Sequence, residues 1–317
     1  MNKVSVVIPV KNGIHTIKKC IDGILSQNIS VEEIVVIDSG STDGTIELLK
    51  KYDKVKLIEI PSSEFNHGET RNIGVQHASC EYVVLTVQDA WPVDENWLDN
   101  LFKGLVNKDV VAVCGQQVVP HDPDKNPAQW FKPYSTPEVI TRRFSEDEFG
   151  KLSPEAMSQA CSWDNVTALY KKETLLQIPF QNTIFAEDKI WAKEALANGC
   201  TIAYNYAARV YHYHHEDAEF AFKRTYAEIF STYTIFKLLP ERPNFSVEYH
   251  IRLIKSLYLA RGISFTDKFR WWKYNINLVK SYRSACELFY QTLDKGEEEL
   301  KKSYVRICDR ILASETN

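Results

Sequence analysis

The chain has 317 residues, of which 44% are hydrophobic and 25% are charged, an ordinary globular composition that excludes a disordered chain. The 38 Lys and Arg against 42 Asp and Glu give a net charge of −4, so the bulk charge offers no case for a nucleic-acid-binding protein. The seven cysteines are scattered without a Cys-x-x-Cys pair, which argues against a disulfide scaffold and against a zinc ribbon.

The first predicted element is a short apolar strand over residues 4–10. This run is too short for a signal peptide and is followed by no small-residue cleavage site. The sequence also contains no run of about 18 apolar residues, the length that spans a bilayer. We therefore expect the protein to work in the cytoplasm.

The first half of the chain alternates predicted strands with predicted helices. Short β-rich runs predict strands at 4–10, 33–38, 55–60 and 82–87, and helical spacing of apolar residues predicts helices at 14–25, 45–52 and within 66–77. Parallel strands need crossover connections, which helices provide. The pattern therefore predicts an α/β fold with a mainly parallel sheet flanked by helices on both faces.

The second half is less regular and becomes helical towards its end. Strands are expected at 110–113, 117–119, 201–204 and 209–214, a long loop at 121–137, a helix at 187–197, and helices from Glu219 onward with a break at 239–244. The change in composition near residue 220 predicts two domains, 1–218 and 219–317, the second a helical C-terminal region.

Polar residues follow three of the predicted strands. Lys11 and Asn12 follow the first, Asp38 and a polar cluster at 39–44 follow the second, and Gln88 and Asp89 follow the fourth. Ligands of parallel sheets bind beyond the carboxyl ends of the strands. Ordinary turn and capping chemistry is the alternative interpretation. A glycine-rich dinucleotide fingerprint and a P-loop are both absent from the sequence.

Two of these segments carry a resemblance. Residues 6–12 (VVIPVKN) together with 37–45 (IDSGSTDGT) resemble the inverting family 2 glycosyltransferases of the GT-A fold. Residues 64–74 (EFNHGETRNIG) and 85–90 (LTVQDA) resemble the bacterial rhamnosyltransferase subgroup that builds O-antigen and other surface polysaccharides. The resemblance covers residues 4 to about 215.

The resemblance implies a nucleotide-sugar donor site. Pro9, Asn12 and Asp38 would hold the base and ribose, and Arg71 would lie near the diphosphate, with a surface helix cation as the alternative for Arg71. The full set of expected donor residues is Pro9, Asn12, Asp38, Ser41, Asp43, His67, Arg71, Gln88 and Asp89.

The resemblance also implies a divalent cation, Mg²⁺ or Mn²⁺, held after the fourth strand. The family has Asp-x-Asp there, whereas this chain has Gln88 in place of the first Asp and keeps Asp89. Metal dependence is therefore open. His212 is the expected second ligand, with His214 as the alternative because alternate strand residues share a face. Packing or capping at a strand end is the non-catalytic interpretation of His212.

The expected catalytic pair is Glu187-Asp188, at the start of the 187–197 helix. By resemblance Asp188 is the base that takes a proton from the acceptor hydroxyl, and Glu187 orients a sugar; a simple helix cap is the alternative. Residues 162–165 (SWDN) resemble the acceptor-side segment of these enzymes, with Trp163 and Asp164 as the expected acceptor residues. Trp163 would either stack on a sugar or belong to the core.

The C-terminal third contains an aromatic and basic segment, residues 255–283, with Trp271 and Trp272 at its centre. Such a segment can lie in a membrane interface and meet anionic lipid. Helix packing, including a homodimer through these helices, is the alternative.

These features predict an inverting glycosyltransferase that moves L-rhamnose from dTDP-L-rhamnose onto a lipid-linked glycan at the inner face of the cell membrane. The alternatives are a UDP-hexose transferase of the same fold and a catalytically inactive nucleotide-sugar-binding subunit. A nicotinamide-dependent oxidoreductase ranks third because the glycine-rich fingerprint is absent.

Overall fold

The computed structural model describes residues 3–130, 137–183, 185–242 and 246–308. It divides into two compact units. The first comprises the described residues of Met1–Val118 and Tyr134–His212, and the second those of Val119–Pro133 and Tyr213–Asn317. Residues 121–130 of the predicted long loop thus belong to the second unit, and residues 131–136 of that loop lie outside the described residues.

The elements follow in chain order. The first part of the chain forms β1 (Val4–Val10), α1 (Ile17–Leu25), β2 (Val31–Asp38), α2 (Thr45–Leu49), β3 (Val55–Glu59), a 3₁₀ turn (Ser62–Glu64), α3 (His67–His77), β4 (Tyr82–Leu85), β5 (Trp91–Pro92), α4 (Trp97–Lys103) and β6 (Val110–Val118). Then come α5 (Pro127–Trp130), β7 (Val139–Arg142), α6 (Glu146–Gly150), α7 (Pro154–Ala160), β8 (Ala168–Lys171), α8 (Lys172–Gln177), α9 (Glu187–Ala197) and β9 (Thr201–Tyr211). Four helices complete the chain: α10 (Ala218–Phe236), α11 (Val247–Leu259), α12 (Phe265–Leu293) and α13 (Glu297–Cys308).

The first unit is built on one mixed sheet with strand order β3-β2-β1-β4-β8-β6-β9-β5, and β7 pairs with β9. The strands β3, β2, β1 and β4 run parallel, as the alternation of strands and helices predicts. The strand β8 is antiparallel to both of its neighbours, while β6 and β9 are parallel to each other. The α/β class is confirmed, and the sheet is mixed rather than mainly parallel.

The register places the first strand ends side by side. Val10 lies opposite Asp38 across β1 and β2, and Val7 lies opposite Leu85 across β1 and β4. The polar segments that follow these three strands therefore emerge at one edge of the sheet.

Two pairs of predicted strands are single strands in the structure, β6 and β9. Gly115, which interrupts the apolar pattern of β6, marks a close approach: a Cβ there would lie 2.3 Å from the carbonyl oxygen of Ala208. The strand β9 ends at Tyr211, so His212 and His214 lie beyond it. The predicted strand 209–214 thus ends three residues early, and His214 as the alternative ligand stays a prediction.

The core of the first unit lies between the sheet and its helices. Apolar residues of β1, β2 and β4 are fully buried, and α1 contributes Ile17, Cys20, Ile21 and Ile24 at helical spacing. On α3, Gly74 allows close packing on the sheet, since a Cβ there would lie 2.3 Å from Val7 Cγ1.

The second unit is helical, as predicted, and has two apolar clusters. One joins α10, α12 and α13 around Tyr226, Phe289 and Tyr304. The other joins α11 and α12 around Leu253, Leu257 and Trp271. Trp271 is only 3% exposed, so it packs inside the unit and cannot reach a membrane. Among the described residues, no helix is long and apolar enough to span a bilayer.

Candidate active site

The loops that follow β1 and β2 hold each other through paired hydrogen bonds. The backbone N–H of Asn12 donates to Ser41 Oγ at 2.8 Å, and the Asn12 side-chain oxygen accepts from the N–H of Thr42 at 2.9 Å. Asp43 accepts from the N–H of Ile14 at 3.1 Å. Asn12 has a φ of 50°, a left-handed conformation that Asn tolerates better than most residues. The predicted donor residues Asn12, Ser41 and Asp43 therefore form one rigid double loop.

Asp38, at the end of β2, is fully buried inside this loop. One carboxylate oxygen accepts from the N–H groups of Gly40 and Ser41 at 2.9 and 2.8 Å, and the other accepts from the Ser41 hydroxyl. The carboxylate thus stabilises the turn, as the interpretation of these residues as ordinary turn chemistry predicts. Its contact with a ribose or base stays a prediction. Pro9, one residue before the end of β1, lies half-buried opposite Ile37.

Gln88 is bonded to the backbone of Lys11 at both ends of its amide. Its Oε1 accepts from the Lys11 N–H at 2.9 Å, and its Nε2 donates to the Lys11 carbonyl at 3.1 Å. A carboxylate at this position could only accept and would face the carbonyl oxygen with another oxygen. The amide therefore explains why this chain has Gln88 where the family has Asp: the side chain holds the loop after β1 instead of facing a cation.

The segment 66–72 contacts Phe180 and Gln181, which precede α9 in the chain. Asn66 caps α3 by accepting from the N–H groups of Gly68 and Glu69 at 3.0 and 3.2 Å. Asn72 pairs with the backbone of Phe180, donating at 2.8 Å and accepting at 3.0 Å. At Gly68 the Gln181 carbonyl oxygen comes so close that a Cβ would lie 2.0 Å from it.

Arg71 from the same segment forms a buried ion pair with Glu187 at the start of α9. Its Nη1 lies 3.2 Å from Glu187 Oε1 and donates to the His67 carbonyl at 2.8 Å. The two charged side chains are only 6% and 7% exposed. Burial opposes the charge of Glu187, yet Arg71 and His67 outweigh it, so the pKa of Glu187 lies below its ordinary value. Arg71 is therefore no surface cation, and its contact with a diphosphate stays a prediction.

Glu187 is also bonded to the segment 162–165, whose acceptor-side role stays a prediction. Asn165 donates to Glu187 Oε1 at 3.1 Å and accepts from the Tyr170 hydroxyl at 2.5 Å. Tyr170 in turn accepts from the indole N–H of Trp163 at 2.6 Å. Trp163 is 2% exposed and packs against the rings of Tyr170, Trp191 and Tyr204. The prediction that Trp163 stacks on a sugar is wrong, because no face of the ring is open; it is a core residue.

Asp188, the predicted base, has an unusual environment. Burial, Glu187 and Asp164 together raise the pKa of Asp188 to about 8, although the Lys189 N–H donates to its Oδ1 at 2.7 Å. The preceding Ala186 is 6% exposed and has a φ of 62°, a left-handed conformation that costs a residue with a Cβ about 1 kcal/mol. Such strain tends to occur at functional sites.

A line of polar side chains runs from the predicted metal ligands to the acceptor-side segment. His212 Nε2 lies 3.5 Å from Asp89 Oδ1, and His212 Nδ1 lies 2.6 Å from Gln117 Oε1. Gln117 Nε2 donates to the carboxylate of Asp164. The structure thus brings Asp89 and His212 together, as predicted. His214 belongs to the second unit.

Asp89 and His212 fit a divalent cation. Two ligand atoms bound to one ion at about 2.1 Å can lie up to about 4.2 Å apart, so the 3.5 Å separation suits a shared ion. Both side chains are partly exposed, at 22% and 11%. One carboxylate and one imidazole, completed by water or phosphate oxygens, suit Mn²⁺ and Mg²⁺.

Sequence reasoning missed two polar residues of the site, Gln117 and Tyr170, and named Asn165 only as part of the segment 162–165. Tyr170 lies in the four-residue strand β8 and Gln117 lies in the nine-residue strand β6. Nothing in the chain order shows that these two strands lie beside each other.

Comparisons with known proteins give the relatives of this chain. Residues 5–157 match the family model described as Glycosyl transferase family 2. The chain is 31% identical over 230 residues to the O-antigen chain rhamnosyltransferase RfbN of Salmonella typhimurium, with 70% of each chain covered. It is 34% identical over 200 residues to the O-antigen chain rhamnosyltransferase WbaN of Salmonella anatum, with 61% of this chain and 60% of that protein covered.

Two groups of solved structures share the fold. The mannosyltransferase PcManGT of Pyrobaculum calidifontis, in complex with GDP-Man and Mn²⁺, superposes with a TM-score of 0.54 at 17% identity, over 96% of this chain and 85% of that one. TarS 1-349 of S. aureus, in complex with UDP-GlcNAc, gives a TM-score of 0.53 at 16% identity, over 91% and 92%. These likenesses establish the architecture of the chain.

Proposed function

Because the chain belongs to glycosyl transferase family 2, we propose that it transfers L-rhamnose from dTDP-L-rhamnose to a saccharide acceptor, with inversion at the anomeric carbon. The observation that carries the reaction type is Asp188, a half-buried carboxyl at the start of α9 with a pKa of about 8. The choice of rhamnose rests on the two relatives, both O-antigen chain rhamnosyltransferases.

The proposed reaction is a single displacement. The acceptor hydroxyl oxygen forms a bond to C1 of the donor sugar while its proton passes to the Asp188 carboxylate. The bond between C1 and the diphosphate oxygen breaks, and its electron pair leaves with the nucleoside diphosphate. A carboxylate with a pKa of about 8 accepts this proton more readily than one with an ordinary pKa.

Glu187 and Arg71 support this step through their effect on the pKa of Asp188. Because Arg71 keeps Glu187 ionised, the negative charge of Glu187 helps to hold the pKa of Asp188 high. Asp164 adds a second negative charge with the same effect. The buried pair thus tunes the base and fixes the start of α9.

Asp89 and His212 would hold a divalent cation in this proposal. When bound, the ion neutralises negative charge on the leaving diphosphate. We expect Asp89→Ala and His212→Ala each to weaken donor binding in the presence of Mn²⁺ or Mg²⁺ and to leave it unchanged in EDTA. Calorimetric titration of donor with and without the ion measures this; equal wild-type affinity in metal and EDTA would show a metal-independent enzyme.

A panel of donors tests the proposed substrate. Hydrolysis of dTDP-L-rhamnose, UDP-glucose and UDP-galactose is compared at equal concentration, with Mn²⁺ or EDTA, in wild type and Asp188→Asn. We expect release of dTDP to dominate and to fall in the variant. Dominant release of UDP would instead identify a UDP-hexose transferase of the same fold.

A nucleotide-sugar-binding subunit without catalysis is the second candidate, because Gln88 is turned towards Lys11 and supplies no carboxylate to a cation. Donor binding without hydrolysis or transfer, unaffected by Asp188→Asn, would identify it. The raised pKa of Asp188 favours the enzyme, since a binding module has no need of a tuned base.

We also propose that the second unit attaches the enzyme to an anionic membrane, where a lipid-linked glycan acceptor resides. On α11, Val247, Ile251, Ile254 and Tyr258 are 57% to 80% exposed and recur at helical spacing on one face. Neighbouring exposed cations are Arg252, Lys255 and Arg261. Each cation near an anionic leaflet contributes about 1 kcal/mol. This face replaces the buried Trp271 as the membrane contact.

Co-sedimentation with vesicles tests the attachment. Wild type should pellet with phosphatidylglycerol vesicles at low salt and stay in solution at high salt or with phosphatidylcholine alone. Ile251→Ser/Ile254→Ser should abolish pelleting. The matched control is Val106→Ser/Leu176→Ser, two apolar residues of the first unit that are 54% and 55% exposed. If the wild-type protein does not pellet with anionic vesicles and is a dimer in solution, the exposed face of α11 is a self-association surface instead.

A further inference from the structure

We propose that Gln117 is a positioning residue that sets the tautomer of His212, so that His212 Nε2 presents a lone pair towards Asp89. The inference rests on the proposed cation site and extends it to a residue that would touch neither the ion nor the donor.

The position of Gln117 is fixed by its strand and by both ends of its amide. It lies near the end of β6, where it is opposite Val210 of β9. Its Nε2 donates to the carboxylate of Asp164. Its Oε1 lies 2.6 Å from His212 Nδ1.

The chemistry of these three groups fixes the direction of the Gln117 amide and places a proton on His212 Nδ1. An ionised carboxylate only accepts hydrogen bonds, so the NH₂ group of Gln117 must face Asp164. Asp164 also accepts from the N–H of Val166 at 2.8 Å, which fits a carboxylate. The carbonyl end of the Gln117 amide must then face His212, and the neutral imidazole must carry its proton on Nδ1.

This tautomer has a consequence on the other side of the ring. With its proton on Nδ1, a neutral His212 has an acceptor lone pair at Nε2, and that atom lies 3.5 Å from Asp89 Oδ1. Two acceptor atoms that face each other need a positive charge between them, which either a bound cation or a second proton on the imidazole supplies. In the neutral imidazole, the arrangement directs the Nε2 lone pair towards the proposed cation site.

Partners that orient metal-binding histidines in this way contribute about 10- to 100-fold to metal affinity. Carboxylates and backbone carbonyls are the common choices. Here an amide takes that place, and its direction depends on Asp164, the residue beyond it.

The first measurement needs no metal, and it uses a variant only to assign the His212 signal. Imidazole ¹⁵N shifts of the full chain, recorded at about pH 8.5 where histidines are largely neutral, distinguish the two tautomers. His212 is assigned by the signal that His212→Ala removes. We expect the Nδ1–H tautomer. An Nε2–H tautomer in wild type would overturn the inference whether or not the enzyme transfers sugar.

The second measurement compares three chains. Gln117→Met keeps the length of the exposed side chain without its hydrogen bonds, and Gln177→Met is the matched control, an exposed glutamine of α8 in the same unit. We expect Gln117→Met to populate the other tautomer and to weaken Mn²⁺ binding, measured by calorimetry without donor, by about 10- to 100-fold. The control should match wild type.

The second measurement distinguishes the role of Gln117 from the existence of the cation site. A Gln117→Met protein that keeps both the wild-type tautomer and the wild-type Mn²⁺ affinity would show that Gln117 does not position His212. A wild type with the expected tautomer but no Mn²⁺ binding would overturn the proposed cation site itself, and the role of Gln117 towards an ion with it.

Discussion

Asp188 gives the sharpest test of the catalytic proposal, because its pKa predicts both the pH dependence of activity and a stability effect. With a pKa of about 8, about one tenth of the Asp188 carboxyl groups are ionised at pH 7 and about nine tenths at pH 9. The pH dependence of kcat/KM reports the ionisation of the base in the free enzyme, so kcat/KM should rise about tenfold between pH 7 and 9. A base with an ordinary pKa would give a flat profile there.

The substitution Asp188→Asn removes the base and keeps the contact with Lys189 N–H, because an amide oxygen also accepts. We expect transfer to fall about 10²- to 10⁴-fold and the rise between pH 7 and 9 to vanish. Donor affinity should stay unchanged. The control is Asp53→Asn, the same chemical change at an exposed turn, which should keep the wild-type rate and profile.

The same variant should be more stable than wild type. Folding raises the pKa of Asp188, so the folded chain binds a proton that the unfolded chain has lost between about pH 4 and 8. In that window the group's contribution to stability falls by up to about 1.4 kcal/mol per pH unit. The neutral amide of the Asp188→Asn variant carries no such penalty, and the variant's gain in stability should grow towards pH 8. Wild-type turnover in Asp188→Asn, or a flat wild-type profile, would refute the reasoning.

Three further substitutions probe the surrounding structure. Gln88→Asp restores the family's carboxylate but cannot donate to the Lys11 carbonyl, so we expect the free energy of unfolding in urea to fall by about 1–2 kcal/mol. An unchanged unfolding midpoint would mean that the two hydrogen bonds between Gln88 and Lys11 do not stabilise the fold. Arg71→Ala leaves the Glu187 carboxylate buried without its cation and should lower the free energy of unfolding by about 3–5 kcal/mol. Thermal unfolding followed by circular dichroism measures this, and a loss below about 1 kcal/mol would contradict it. Ala186→Gly should add about 1 kcal/mol by relieving the positive φ, and a loss of stability would show that Ala186 is unstrained.

Much of the fold could be predicted from sequence where the pattern is local. The strand at 4–10 and the helix at 187–197 have in the structure the bounds that the sequence predicts. The short strand β8 was missed because only four residues form it and its neighbours come from distant parts of the chain. Its direction makes the sheet mixed, and direction depends on tertiary pairing rather than on periodicity.

The candidate site shows the same division. The convergence of Asn12, Asp38 and Gln88 at one sheet edge follows from the rule for strand ends. What each side chain bonds to does not follow, since Gln88 bonds to a backbone segment 77 residues away. The burial of Trp163 was equally hidden, because an aromatic residue beside a charged one suits both a sugar platform and a core.

The hydrogen-bonded series from Trp163 through Tyr170, Asn165 and Glu187 to Arg71 limits how this enzyme can be recombined with others. Chimaeras that exchange only residues 162–165 would join a foreign segment to a native Glu187 and leave a buried polar atom without its partner. Such a mismatch costs about 1–3 kcal/mol for each neutral group and more for a charged one. Transplants should therefore move these five positions as a set, although they come from separate stretches of the chain.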